Sequence, residues 1–291
     1  MITTVAPAKI NWTLEVLGRR KDGYHEVRTV MQAIDLHDEL SLESLASPAL
    51  TIRGSEIARE DDLIFRAARA FPATAARSAT LRVKKNIPAG AGLGGGSSDA
   101  AATLRLLNQA TKANVSDESL RNIAATIGSD VSFFLDGGVA MAKGRGEQVR
   151  QLADPPPAWL VLVVPPISVP GKTRVMYRAL EERDYTDGAA TEAINSQLDT
   201  GSAPTGNLLF NVFERVATDV FDGLDKYRDW MIDAGADQPH LSGAGPALFA
   251  LTSGESEARA IRARMNRPKM GERVYVVRTI SAAESTLTWD S

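Results

Sequence analysis

Between Pro88 and Ala102 the chain reads P-A-G-A-G-L-G-G-G-S-S-D-A-A-A, and Gly92, Gly94, Gly95, Gly96, Ser97 and Ser98 are its decisive residues. Glycine lets bare backbone N–H groups reach a ligand, because no Cβ blocks the approach and φ > 0 is open to it. The run A-A-A-T-L-R-L-L that follows predicts a helix. A helix N-terminus presents unpaired N–H donors and roughly half a positive charge. Glycine loop, two hydroxyls and helix start together make a cradle for phosphate. A flexible surface turn would need neither three consecutive glycines nor two serines leading straight into a helix. The loop matches neither G-x-G-x-x-G nor G-x-x-x-x-G-K-[ST], since no lysine follows the glycines. Positive charge must therefore come from elsewhere, and Lys85 or Lys9 could supply it.

Other side chains bear chemistry, each with an ordinary alternative. Lys9 and Asn11, in A-P-A-K-I-N, are two apart and share one face of a strand, although a lone strand lysine is commonly a solvated one. Gly18–Val27, G-R-R-K-D-G-Y-H-E-V, joins basic side chains to Tyr24 and His25, yet alone it reads equally as a hairpin connection. Asp130 follows a helix end and precedes Phe133 and Phe134; a carboxylate there could be a cap or a loop solvator. A second glycine turn, S-G-A-G-P, occupies Ser242–Pro246.

The elements that must position these groups follow from periodicity. Ile2–Leu17 reads as extended and broken near Pro7, with strands at Val27–Leu36, Glu39–Leu45 and Ala49–Arg53. Asp61–Ala75 reads as a helix that frays at Pro72, and Ala79–Lys85 as the strand feeding the glycine loop. Ser116–Ile127 is a helix with Ser116 as N-cap, and Gly137–Ala142 a strand. Asp154–Pro157, D-P-P-P, is the clearest linker, which places a domain boundary between 155 and 156. Beyond it come a buried strand at Trp159–Val164, a helix at Lys172–Glu182, a polar stretch at Asp184–Thr205 with one short helix, and amphipathic helices at Asn207–Phe221 and Leu224–Ala234. Strands at Asp237–Leu241, Ala247–Thr252 and Arg273–Thr279, with a helix at Glu255–Met265, complete an α+β half.

Composition bounds the function. With 291 residues, two domains are expected. The formal net charge of −3 argues against nucleic-acid or membrane-surface partners but leaves room for an anionic small substrate. No cysteine is present, which removes disulfides, thiolate metal sites and a cysteine nucleophile and fits a cytoplasmic setting. The N-terminal residues do not read as a secretory signal, and the apolar run Trp159–Pro166 is too short to span a bilayer.

A-P-A-K-I-N, the glycine loop and L-S-G-A-G-P-A-L-F-A, in this order and at these separations, resemble the three motifs of the GHMP kinase superfamily. D-G-Y-H-E-V, V-M-Q, I-G-S-D-V-S-F-F-L-D-G-G-V-A and G-R-G-E narrow the resemblance to the family of 4-diphosphocytidyl-2-C-methyl-D-erythritol kinases. It covers most of the chain. It implies an α+β, two-domain GHMP kinase fold: a ribosomal protein S5 domain 2-like N-terminal domain (1–155) that binds ATP, and a ferredoxin-like C-terminal domain (156–291) that binds substrate, with the site in the cleft between them. It further implies Lys9 and Asp130 as the catalytic pair. Tyr24 would stack on the cytidine, His25 would bond its edge, and Asn11 would contact the substrate. Lys85 with Pro88, Ala89, Gly90, Ala91, Gly92, Leu93, Gly94, Gly95, Gly96, Ser97 and Ser98 would hold ATP, and Ser97 would contact Mg²⁺. A homodimer is compatible with the family. Two departures are visible: Asp61-Asp62-Leu63 stands where E-N-L is usual beside the adenine, and Ser132 where proline is frequent after the catalytic aspartate. Another small-alcohol kinase and a non-catalytic nucleotide sensor are the alternatives. Tyr24 with His25 speaks against the first, and retention of both Lys9 and Asp130 against the second.

Overall fold

The computed structural model describes residues 1–58, 60–265 and 273–290. The chain begins with a long antiparallel ribbon, β1 (Ile2–Arg19) and β2 (His25–Ser44), joined by a short turn in which Gly23 takes φ +84. After β3 (Thr51–Arg53) come α1 (Leu63–Ala70), β4 (Thr80–Lys84), and then α2 (Gly95–Thr111), α3 (Asp117–Ile127) and α4 (Val131–Asp136). A hairpin of β5 (Val139–Lys143) and β6 (Gln148–Gln151) follows. The second half runs β7 (Trp159–Val164), α5 (Lys172–Ala179), α6 (Ala189–Asp199), β8 (Phe210–Asn211), α7 (Ala217–Val220), α8 (Leu224–Asp233), β9 (His240–Leu241), β10 (Leu248–Thr252), α9 (Glu255–Arg264), β11 (Arg273–Arg278), α10 (Ala282–Ser285) and β12 (Thr288–Asp290).

Among the described residues two sheets form. The first has eight strands, with β12-β1-β2-β4-β3 as its main path, β5 and β6 continuing from β2, and β8 beside β1. The second has four antiparallel strands in the order β11-β7-β10-β9. Its chain order, strand, helices, two strands, helix, strand, is the β-α-β-β-α-β pattern of ferredoxin-like domains. Leu81, Leu104, Leu107, Phe133 and Phe134 seal helices against the first sheet; Val161, Met176, Phe213, Phe221 and Met231 do the same in the second half. A third cluster takes residues from both sheets, including Ile10, Trp12 and Ile34 of the first and Leu160, Leu162 and Phe249 of the second. Trp12 meets Phe249 edge to face at 6.0 Å. The two sheets thus share apolar packing, which fixes the cleft between them. The chain passes from one sheet to the other over Asp154–Pro157 and returns at β8 and β12.

Most expected elements are present, with informative differences. The expected break near Pro7 is a register shift between Pro7 and Ala8 inside one continuous strand, and the two strands expected over 27–45 are the single 20-residue β2. α1 is shorter than the helix expected over Asp61–Ala75, because Asp62 caps it and Phe71, just before Pro72, ends it. Asn207–Phe221 is not one helix. Its apolar residues Val212, Phe213, Val216 and Phe221 are buried from a two-residue strand, a 3₁₀ turn and the four-residue α7. α4, directly after Asp130, was not expected; six residues, four of them apolar, are too few to show a helical period.

Candidate active site

Lys9 and Asn11 project from the same face of β1 and are buried, at 4% and 3% exposure. Lys9 Nζ donates to Asn11 Oδ1 at 2.6 Å, Asn11 Nδ2 donates to Thr29 Oγ1 at 2.8 Å, and Thr29 Oγ1 donates to the Thr13 carbonyl at 2.5 Å. This relay spans both long strands and locks the lysine rotamer. The ammonium lies 3.7 Å from Asp130 Oδ2, an ionic contact longer than a hydrogen bond. Burial holds the Lys9 pKa below its ordinary value, and the Asp130 charge opposes that pull. Asp130 occupies the N-cap position of α4 but accepts no capping bond. Its carboxylate, 37% exposed, stays free to face the cleft rather than closing a helix.

The glycine loop is stitched to both sides of this pair. Lys9 N–H donates to the Leu93 carbonyl at 3.0 Å, and Ala247 N–H to the Ala91 carbonyl at 3.0 Å. Ser242 Oγ donates to the Gly92 carbonyl at 3.3 Å. Gly90, Gly92 and Gly94 take φ of +68, +90 and +75, a backbone region that favours glycine. A Cβ on Gly92 would collide with the Ser242 carbonyl, and one on Gly94 would lie 2.7 Å from the Phe134 ring. Asn211 Nδ2 donates to the carbonyls of Leu241 and Gly243, each at 2.8 Å, and so shapes the second glycine turn. A Cβ on Gly243 would stand 3.0 Å from Lys9 Nζ. Gly94 is the N-cap of α2 without any capping side chain, and the Ser98 N–H is the one that bonds back to the Gly94 carbonyl, at 2.9 Å. The N–H groups of Gly95, Gly96 and Ser97 are first-turn donors aimed away from the helix.

A cavity of about 880 Å³ runs past these groups. Lys9, Asn11, Lys85, residues 88–97 and Asp130 all line it. Ser98 does not: it is fully buried, and its Oγ has no hydrogen-bond partner. Lys85 reaches the wall with its charge already engaged by Asp38 and by Asp99 Oδ2, the latter at 2.6 Å. Asp62 gives its carboxylate to the Ile64 N–H at 2.8 Å, so where the family usually has asparagine the residue works here as a helix cap. Tyr24 and His25 stand one contact back from the cavity wall. Arg145 lies over the Tyr24 ring at 4.8 Å, and the His25 ring stacks on Tyr177 at 4.8 Å. Arg145 and Tyr177 themselves line the cavity.

Arg145, Lys172, Tyr177 and Asn211 were not singled out by sequence. Arg145 was legible only within the G-R-G-E motif, with no role of its own, and Tyr177 as one position on a helix. Asn211 lay inside an expected helix, where its carbonyl-binding amide had no assignable purpose.

A family model for the GHMP kinases N terminal domain matches residues 62–138, and one for the GHMP kinases C terminal domain matches residues 177–269. Over nearly the full length, the chain is 38% identical to a 4-diphosphocytidyl-2-C-methyl-D-erythritol kinase of Dehalococcoides mccartyi, covering 96% of this chain and 99% of that protein. It is 39% identical to the protein of the same name from Pelotomaculum thermopropionicum, over 97% and 99% of the two chains. The chain belongs to this kinase family. A crystal structure of a 4-(cytidine 5'-diphospho)-2C-methyl-D-erythritol kinase superposes with TM-score 0.82 at 36% identity, covering 95% of this chain and 98% of that one. A homoserine kinase from Cytophaga hutchinsonii, at 19% identity, shares the fold with TM-score 0.74. Membership makes the chain a phosphotransferase of the GHMP kinase type with two domains of mixed helix and sheet, as its motifs implied. Among the described residues, no helix is long and apolar enough to cross a membrane.

Proposed function

We propose that this member of the family transfers the γ-phosphoryl group of ATP to the 2-hydroxyl of 4-diphosphocytidyl-2-C-methyl-D-erythritol, a step of the non-mevalonate route to isoprenoid precursors. The observation that carries the proposal is the 3.7 Å contact of Lys9 with Asp130, with Lys9 packed against the N-cap glycine of α2. Phosphoryl transfer asks for an oriented hydroxyl and compensated phosphate charge, with little covalent work by the protein. Asp130 accepts the proton of the acceptor hydroxyl, the role its uncapped, cleft-facing carboxylate suits. Lys9 bonds the same oxygen or the transferred group, and Asn11 keeps Lys9 aimed. The loop N–H groups at the start of α2 take the ATP phosphates. Tyr24 stacks on the cytosine ring. His25 bonds its edge as a neutral imidazole, since burial and then Arg19 hold its pKa below the ordinary value. Tyr177 and Arg145 brace that pair.

Magnesium belongs to the same proposal. Ser97 and Asp130 line the cavity with oxygen donors, which suits a hard cation that takes most of its ligands from water and phosphate. Among the described residues no cluster of three or more His, Cys, Asp or Glu could cage a metal. Bound there, the ion would supply neutralisation of the phosphate charge. Residues 1–155 are, in this proposal, the ATP-binding domain and residues 156–291 the substrate-binding one, in a cytoplasmic enzyme that acts on small molecules.

Asp130→Ala tests the assignment. Turnover is expected to fall by about 10²–10⁴-fold, the range of a lost general base, while ATP titration still shows binding. Unchanged turnover would remove Asp130 from the mechanism.

A further inference from the structure

The segment V-P-G-K-T at Val169–Thr173 has no part in the mechanism above. Lys172 is its chemically capable residue. It opens α5 behind Gly171, which sits at φ +63. Its ammonium donates to the carbonyl of Gly245, in the second glycine turn, and its side chain lines the cavity that holds Lys9 and Asp130. That carbonyl stands where the two glycine turns meet: a Cβ on Gly92 would lie 3.1 Å from it. The three lysines of the cavity differ in their partners. Lys9 faces Asp130, and Lys85 is held between Asp38 and Asp99. Among the described residues, no carboxylate lies within ion-pair distance of Lys172. The charges that bear on it are Lys9 from β1 and Asp130 ahead of α4, while Asp219 on α7, which packs against α5, is exposed. Burial foremost, and then the Lys9 charge, bring its pKa down to about 8, with Asp130 pulling the other way. A half-buried ammonium that donates to a carbonyl and has no carboxylate in ion-pair reach is a site waiting for an anion.

We propose that Lys172 is a further catalytic residue, whose ammonium binds the γ-phosphoryl group in transit and supplies the positive charge that the glycine loop lacks. This rests on the kinase assignment above. In the transfer, the bond from the γ-phosphorus to the β,γ-bridging oxygen breaks with its electron pair leaving on ADP. The acceptor oxygen forms the new bond to the same phosphorus, and its proton passes to Asp130. Lys172 stays protonated throughout and acts by charge alone, as electrostatic stabilisers of transferring phosphoryl groups do.

The test is steady-state kinetics of wild type, Lys172→Met and Lys172→Arg, with melting curves and ADP titration to establish that each variant is folded. Lys172→Met is expected to lose about 10²–10³-fold in kcat, the cost of one transition-state donor, with the KM of the acceptor within about threefold of wild type. In wild type, kcat/KM for ATP should fall as pH rises through about 8, where Lys172 loses its proton. In Lys172→Arg, which stays charged, that limb should move to higher pH. Three results would overturn the proposal: wild-type kcat in Lys172→Met, a loss confined to acceptor KM (which would put Lys172 on the acceptor's own diphosphate), or an unmoved alkaline limb in Lys172→Arg. Should Lys172→Met fail to fold, the pH profile of Lys172→Arg decides alone. A wild type that phosphorylates nothing would instead remove the kinase assignment.

Discussion

Gly92 holds φ +90, and the Ser242 carbonyl occupies the space where its Cβ would be; Gly96, four residues on, has only the Leu63 side chain at 3.7 Å beside it and no left-handed backbone. Gly92→Ala is therefore expected to lose about 1–2 kcal/mol of stability from backbone strain alone, and further stability and most activity because the two glycine turns must part. Gly96→Ala should melt at or above wild type, since alanine is the better helix former, by at most about 1 kcal/mol. Thermal denaturation of the pair checks this; equal melting temperatures would show that the turns do not touch as described. At this scale the sequence spoke clearly where a residue type has one physical reason to be present. Three glycines and two serines before a helix could be read directly. Lys172 could not be read so, because a lysine in a loop has many uses and its partner, the Gly245 carbonyl, is 73 residues away.

The elements around the loop are held by a buried charge cluster. Asp38 of β2 accepts from the N–H groups of Asn86 and Ile87 at 2.5 and 2.8 Å, and from Lys85, which also bonds Asp99 in the second turn of α2. Both flanks of the glycine loop are thereby tied together. Burial, with the Asp38 charge adding to it against the pull of Lys85, raises the Asp99 carboxyl from 3.8 to about 8. The folded chain then keeps a proton that the unfolded chain releases between about pH 4 and 8, so this group lowers stability progressively as pH rises through that window. Asp99→Asn, neutral at every pH, should show a smaller decline in melting temperature between pH 5 and 8 than wild type; an identical decline would mean that Asp99 is ionised in the fold. The strands and the long helices were legible because alternation and capping residues such as Ser116 announce them, and Ser116 Oγ does accept from the Ser119 N–H at 3.3 Å. The Asn207–Phe221 segment misled because burying Phe213, Val216 and Phe221 on one side mimics a helical stripe, while Asn211 spends its amide on the neighbouring turn.

At the scale of the whole molecule, the first strand belongs to everything: β1 carries Lys9 and Asn11, pairs with β2, β8 and β12, and sends Trp12 into the core shared with the second sheet. Lys9 and Asn11 near one end of the sequence and the Ser242–Pro246 turn near the other meet because of that packing. The family resemblance implied a site in the cleft between two domains, but no periodicity in the chain encodes which sheet edge adjoins which. The proposed cytidine side draws on both halves, with Tyr24 and His25 from the β1–β2 end in contact with Arg145 and with Tyr177 of α5. A site built to pair a polar base edge should reject acceptors that lack it by about 10⁴-fold or more. The most direct measurement is kcat/KM for ATP-dependent phosphorylation of 4-diphosphocytidyl-2-C-methyl-D-erythritol, homoserine and mevalonate by the same enzyme preparation. The account predicts turnover of the first and at most trace turnover of the other two; comparable rates on homoserine or mevalonate, or none on the cytidine substrate, would contradict it.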